Sequence, residues 1–266
     1  MGDLRELVIV NCDHKTPRVY SHSSLSCFEQ CPHKYQYRYI AGLEAERRGI
    51  EAFSGSIVHL ALQHLHQRAD EGEVLGEEDI IAFLRDRWEE NMGDDVVIVK
   101  KDMTRSDHLR RAEAGLRAYH RHYHPFDRGC TVGLEHGIKF KVQGDREHSL
   151  VGYIDRLTEA GDGVFEIHDY KTGKRLPTSA DLKNDRQLAL YEIGVRQNYP
   201  QVKEVRLVWH FISHDKEMTS CRTAEELTDL ERGVGTLIDK IESCQCFPCR
   251  AGSLCRWCEH SDLCQH

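Results

Sequence analysis

Val164-Phe165-Glu166-Ile167-His168-Asp169-Tyr170-Lys171 is the stretch whose reading decides the fold of this chain. It is β-prone, follows the turn residues Gly161-Asp162-Gly163, and ends in a carboxylate and an ammonium two positions apart. Side chains two apart on a strand point the same way, so Asp169 and Lys171 share a face with Phe165 and Ile167, while Glu166, His168 and Tyr170 face oppositely. Upstream, Leu150-Val151-Gly152-Tyr153-Ile154 reads as another short strand ending at Asp155, and Ile138, Phe140 and Val142 alternate with polar residues before it. The three are expected to be consecutive strands of a meander. A helix over 180–197, a strand over 205–211 and a helix over 224–241 follow.

The N-terminal half reads differently. Ser21-His22-Ser23-Ser24 caps a helical pattern of Leu25, Phe28, Cys31, Tyr35 and Tyr39 that is interrupted or restarted near Pro32. A second helix is expected from Ser54-Gly55-Ser56 to the stop at Asp70-Glu71-Gly72, with others over 77–90 and 105–122. Helices, three strands, helix, strand: this order predicts one α/β domain with the early helices forming a lobe over one side of the sheet.

Composition sets bounds on function. With 36 Lys+Arg against 44 Asp+Glu, the formal charge of −8 is unlike that of a protein that coats nucleic acid by bulk positive charge. Any basic surface for nucleic acid must be local. Arg110, Arg117 and Arg121, with Arg111 beside them, fall on one face of the fourth helix, where a solvated helix face is an equally good reading. No apolar run is long enough to span a bilayer, and Met1-Gly2-Asp3-Leu4-Arg5-Glu6 has neither leader nor myristoylation character, so a cytoplasmic protein with no membrane partner is expected. Eleven cysteines in a reducing compartment, an odd number, point to metal ligation rather than disulfides. There is no G-x4-G-K-[ST] motif, so unwinding of a duplex would need a partner with a motor.

Asp169 and Lys171 suit phosphodiester hydrolysis: a carboxylate to hold a hard divalent cation, and a lysine to position and help deprotonate water or to stabilise developing negative charge. Asp155 can add a second carboxylate if the two strands pair. Alone, the triplet is equally a surface ion pair. His59, among Val58, Leu60 and Leu62, reads as a core-edge histidine or as a ligand one turn into a helix. Gln187 and Tyr191, four apart, share a helix face. Glu135 reads either as a carboxylate near the site or as a solvated strand-edge carboxylate, and it is not counted in the site. Near the C-terminus, Cys255-x2-Cys258-x5-Cys264 gathers three thiolates, and Cys31-Pro32 offers a fourth; either an iron–sulfur cluster or a structural Zn²⁺ fits four thiolates. Cys244, Cys246 and Cys249 form a second group that could supply alternative ligands, and Cys27 competes with Cys31.

Taken together, Gly55-Ser56-x2-His59, Gly152-x2-Asp155, Asp169-x-Lys171 and Gln187-x3-Tyr191 resemble the PD-(D/E)xK nuclease superfamily, specifically its RecB-like branch, from about Ser21 to Cys264. The resemblance implies a restriction-endonuclease-like core, a central mixed sheet flanked by helices, with an N-terminal helical lobe and a cysteine-ligated C-terminal segment. It makes residues 1–266 a single nuclease domain, with the lobe over 21–124, the catalytic core over 131–222 and the cluster-binding end over 223–266. It further implies Mg²⁺ or Mn²⁺ held by His59, Asp155, Asp169 and the Tyr170 carbonyl, Lys171 as the catalytic lysine, and Gln187 and Tyr191 orienting the lysine or the DNA backbone. In cluster-bearing relatives, among them AddB subunits and CRISPR-adaptation nucleases, the cysteines matching Cys31, Cys255, Cys258 and Cys264 hold a [4Fe–4S] cluster. The expected activity is that of a metal-dependent deoxyribonuclease, an exonuclease on single-stranded ends, with helicase or other repair and adaptation proteins as partners. A CRISPR-adaptation or restriction-type endonuclease and a non-catalytic DNA-binding subunit of a repair complex remain the alternatives.

Overall fold

The computed structural model of the protein describes residues 19–99 and 102–264, so the N-terminal stretch read above lies outside the described residues. The chain opens with β1 (Val19–Tyr20), α1 (His22–Gln30) and α2 (Pro32–Tyr35), the last running into a π-helical turn, Gln36–Ile40. As the sequence predicts, Ser21 caps α1 and Pro32 restarts the helix at its first position. Then come β2 (Arg48–Gly49), α3 (Ile50–Asp70), α4 (Glu77–Asn91), β3 (Val96–Val97) and α5 (Arg105–Tyr123). Helix α3 starts earlier than the Ser54-Gly55-Ser56 signal suggests, because Ile50 and Phe53 are buried and extend its apolar face back to Gly49.

The sheet follows: β4 (Cys130–Gln143), β5 (Glu147–Gly161), β6 (Val164–Lys171), α6 (Ser179–Lys183), α7 (Arg186–Asn198), β7 (Glu204–Phe211), β8 (Lys216–Ser220) and α8 (Ala224–Ser243). The helix expected over 180–197 is two helices, because Asp185 turns its carboxylate onto the Leu188 N–H at 3.1 Å and caps a fresh start. Strands β4 and β5 make a long antiparallel hairpin. One edge of β5 carries β1 in parallel near its start and β6 antiparallel near its end; β6 then pairs β7 in parallel, and β8 closes the order. The result is the expected α/β architecture, a central mixed sheet flanked by helices.

Two apolar clusters pack on the sheet. One gathers Phe165, Ile167, Leu150, Ile154 and Leu157 of the sheet with Leu188 and Leu190 of α7, Ile238 of α8 and Leu25 of α1. The other joins α3, α4 and α5 around Phe53, Leu62, Leu84 and Leu116, and it includes Tyr170 of β6. Strand β6 therefore divides its residues between the two, as its alternation requires. Each fully buried Ile or Leu contributes about 1.5–3 kcal/mol, so the strand carrying Asp169 and Lys171 is held from both sides.

The arginine stripe on α5 is not a free basic surface. Arg117 meets Glu77 at 2.6 Å and Glu78 at 2.5 Å, Arg121 meets Glu77 at 2.7 Å, and Arg110 pairs with Asp107. Arg117 and Arg121 latch α5 to the acidic first turn of α4, while Arg110 is held within α5.

Candidate active site

The alternation of β5 slips where the site is built. Leu150 and Ile154, at even positions, face the α7–α8 cluster, yet so does Leu157, three residues beyond Ile154. Asp155 and Arg156 occupy the slip. Across the hairpin, the pairs Leu134↔Arg156 and His136↔Ile154 set Glu135 opposite Asp155, and Glu135 takes a left-handed φ of 44°. The irregularity presents two carboxylates from neighbouring strands at one point. Burial and the charge of Asp155 raise the Glu135 carboxyl above its ordinary range, with His59 opposing.

Asp155 is the hub. Its Oδ2 accepts the Tyr170 N–H at 2.8 Å, replacing a rung of the β5–β6 ladder, and its Oδ1 lies 3.4 Å from His59 Nδ1. The other imidazole nitrogen, His59 Nε2, is 2.7 Å from the Tyr170 carbonyl oxygen. Helix α3 delivers this ring because Gly55, one turn earlier, lets it approach the chain after Lys171: a Cβ there would lie 3.0 Å from Thr172 Oγ1. Burial disfavours charge on His59, but the hydrogen bond and charge of Asp155, with help from Asp169 and the Tyr170 carbonyl, outweigh it and lift the ring to about 9. Ligand atoms of His59, Glu135 and Asp155 lie within 4.8 Å of one another. In this form the imidazolium supplies the positive charge that the carboxylates demand.

Asp169 and Lys171 form the second half. Lys171 Nζ donates to Asp169 Oδ1 at 3.0 Å and to Gln187 Oε1 at 2.9 Å. It also stands 2.8 Å from Asp169 Oδ2, at an angle that makes no second hydrogen bond, so Oδ2 is buried without a donor. Such an orphaned carboxylate oxygen beside an oxygen-rich donor set fits a hard dication. Burial and the neighbouring Asp155 raise Asp169 to about 6 against the pull of Lys171. Burial opposes the Lys171 charge, but Asp169 and the other carboxylates raise it on balance, so at neutral pH it is an ammonium.

Gln187 and Tyr191 project from α7, with Gln187 Nε2 3.4 Å from the Tyr191 hydroxyl. Gly152 is the complement of Tyr191, since a Cβ there would fall 2.3 Å from the ring. The Gly152-x2-Asp155 and Gln187-x3-Tyr191 signatures are thus one packing unit. Gly152→Ala is expected to destabilise the protein by about 1–3 kcal/mol and to displace Gln187 from Lys171; urea denaturation measures the first, and a midpoint equal to wild type would contradict the close approach.

The structure brings together every residue proposed for this site and adds Glu135, which sequence reasoning set aside. Its only signal was its register opposite Asp155, which needs the hairpin length to be known.

Five cysteines gather between the α1–α2 turn and the C-terminal segment. Cys31, Cys249, Cys255, Cys258 and Cys264 line one cavity of about 340 Å³. Cys249 Sγ is 3.6 Å from Cys264 Sγ, and Cys31 Sγ accepts the Arg250 N–H at 3.4 Å. Burial works against a Cys31 thiolate, but the N–H groups of Arg250, Lys34 and His33 and the Cys249 thiol lower it on balance. Several soft donors around one cavity fit a thiolate-ligated group. Cys27 does not compete: it is buried in the core, and burial pushes its thiol up to about 11. Of the second group only Cys249 reaches the cavity, whereas Cys244 packs on the core and Cys246 is exposed.

Solved structures resemble this one to different degrees. A candidate exonuclease of Eubacterium rectale superposes with a TM-score of 0.53 over 90% of this chain and 87% of that one, at 14% identity. A protein named SSO0001 overlaps more loosely, with a TM-score of 0.42 over 94% of this chain and 87% of the other, at 13% identity. No curated protein matches significantly in sequence. The family model described as the PD-(D/E)XK nuclease superfamily matches residues 19–265. With nearly the whole chain covered by that match, the protein belongs to the PD-(D/E)XK nuclease superfamily.

Proposed function

We propose that the protein is a metal-dependent deoxyribonuclease that hydrolyses phosphodiester bonds, acting as an exonuclease on single-stranded ends. The observation that carries the hydrolytic reading is the convergence of His59, Glu135, Asp155 and the Tyr170 carbonyl beside Asp169 and a fixed Lys171 ammonium. Mg²⁺ or Mn²⁺ would be held by Asp155, Asp169, the Tyr170 carbonyl and His59, with Glu135 within reach. The chemistry such a cation supplies is acidification of a water and neutralisation of phosphate charge. His59 must give up its proton to act as a ligand. Lys171, already charged, is suited to stabilise negative charge on the reacting phosphate rather than to take a proton. Gln187 and Tyr191 hold that ammonium in place.

The carboxylates of the site and a net charge of −8 make a broad grip on duplex unfavourable. Arg111 and Lys174 both act on His108 at the start of α5 and form a local basic group. A single flexible strand can follow so narrow a basic track. Iron–sulfur ligation by Cys31, Cys255, Cys258 and Cys264, with Cys249 adjacent, would tie α1–α2 to the C-terminus, where Lys34 already pairs with Glu259 at 2.8 Å. Helicase or other repair or adaptation proteins are the partners in this reading.

With Mn²⁺ or Mg²⁺ and no ATP, an end-labelled single-stranded oligonucleotide should be shortened progressively, a closed single-stranded circle spared and blunt duplex cut poorly. Lys171→Ala should remove the shortening. Rapid cutting of the circle would replace the exonuclease by an endonuclease, and no cutting of any substrate by cluster-loaded protein would favour a binding subunit.

A further inference from the structure

The face of the sheet turned away from Lys171 contains a cavity of about 410 Å³, set behind His168 of β6 and His210 of β7. Its floor is Arg156. This guanidinium is 6% exposed; Nη2 donates to the Arg128 carbonyl at 3.0 Å, and Nε has no partner. Among the described residues no carboxylate lies within ion-pair distance of it. Arginine cannot shed its proton, and a buried charge without a counter-charge costs several kcal/mol. The carboxylates on the cavity wall are engaged elsewhere: Glu166 faces Arg206 at 3.4 Å, and Glu217 accepts the Tyr123 hydroxyl at 2.8 Å.

A second guanidinium stands at the mouth. Arg128 is exposed, makes no ion pair among the described residues, and lies over the Tyr123 ring at 5.4 Å. Between the two arginines, the wall is aromatic and hydrogen-bonded. His168 and His210 stack at 5.2 Å; Thr158 Oγ1 is 3.1 Å from His168 Nε2, His168 Nδ1 is 3.0 Å from His210 Nε2, and His210 Nδ1 is 3.1 Å from the Tyr123 hydroxyl. Burial, then His210 and Arg156 for His168 and Arg156 for His210, keeps these imidazoles neutral, so they do not add to the positive charge. The volume is far more than a bare phosphate ion needs, at about 30 Å³ for each water displaced, and falls in the range of small-molecule sites.

We propose that this cavity is an anion site for a phosphate monoester, with the phosphate held between Arg156 and Arg128 and the organic group along the Tyr123–His210 wall. Guanidinium forks match phosphate oxygens, and the aromatic wall suits a stacked ring. The monoester is either a free nucleoside monophosphate or the terminal phosphate of a strand. This site is separate from the hydrolytic one, and its existence does not depend on the nuclease reading.

The test uses the full chain, prepared anaerobically, in chloride buffer with EDTA so that no active-site cation can recruit phosphate. Inorganic phosphate, deoxyadenosine 5′-monophosphate, and an oligonucleotide with and without a 5′-phosphate are titrated by calorimetry and thermal melting. At a hundredfold excess over Kd, the bound ligand should raise Tm by about 5 °C. Arg128→Gln, a surface change, should weaken binding at least tenfold. Arg156→Met should abolish it and leave the ligand-free Tm no lower than wild type, because an unpaired buried charge is removed. Binding of the monophosphate alone identifies a free mononucleotide; equal binding of the 5′-phosphorylated oligonucleotide, but not its hydroxyl form, identifies a strand end. The proposal fails if no monoester binds, if Arg128→Gln leaves binding unchanged, or if inorganic phosphate binds as tightly as the monophosphate.

Discussion

Asp155→Ala is expected to lower DNA cleavage by on the order of a thousandfold or more, because one carboxylate serves three neighbours. It is a proposed cation ligand, it faces His59 Nδ1 at 3.4 Å, and it accepts the Tyr170 N–H at 2.8 Å. Removing it takes away both the negative charge that attracts a cation and the acceptor that holds the next strand. Asp155→Asn separates the two roles. The amide oxygen can still accept the Tyr170 N–H, so its melting temperature should stay nearer to wild type, while its cleavage falls as far as that of the alanine variant. Single-turnover cleavage of a labelled single strand in saturating Mn²⁺ measures the loss, and strand binding in the absence of metal should survive in both variants. A wild-type rate in Asp155→Asn would place the hydrolytic centre elsewhere.

The second large effect concerns the cysteine cavity. Anaerobically purified protein is expected to be brown and to contain iron and acid-labile sulfide, and Cys31→Ser to lose both. Ligation between Cys31 and the Cys255–Cys264 segment closes a loop of more than two hundred residues, and the chain-entropy estimate for a cross-link of that span is roughly 5 kcal/mol. Even a fraction of that is a large share of a domain's stability. Exposed contacts such as Tyr37 donating to the Leu263 carbonyl at 3.1 Å are weak by comparison. Cys27→Ala serves as the control, since its thiol packs in the core and should not affect iron content. Colourless protein holding one zinc and no iron would exchange the cluster for a structural zinc site.

Much of this architecture is legible in the sequence because the decisive stretches carry regular patterns. Phe165 and Ile167 alternating with Glu166 and His168 fix β6 and its facing, and Arg105–Tyr123 announces itself by its period. What escapes is what depends on partners. Lys216–Ser220 is a short edge strand, polar except for Met218, whose evidence is its pairing with β7. Glu135 becomes a candidate ligand only once β4 and β5 are in register. The α5 arginines look available until Glu77 and Glu78 of α4 are set against them. Cys249 is singled out from Cys244 and Cys246, the other alternative ligands the sequence offers, only by a loop whose path the sequence does not reveal.

Tyr170 sits between the acid and the lysine, and it belongs to both sides of the sheet. Its backbone N–H and carbonyl meet Asp155 and His59, while its ring packs against Tyr119 and His210 in the α3–α5 core. The lateral position of β6 is therefore set by side chains on the face of the sheet turned away from Lys171. Repacking the helical lobe would therefore shift the proposed site, and a drift of sequence there is answerable to the geometry at Asp169 and Lys171 as well as to stability.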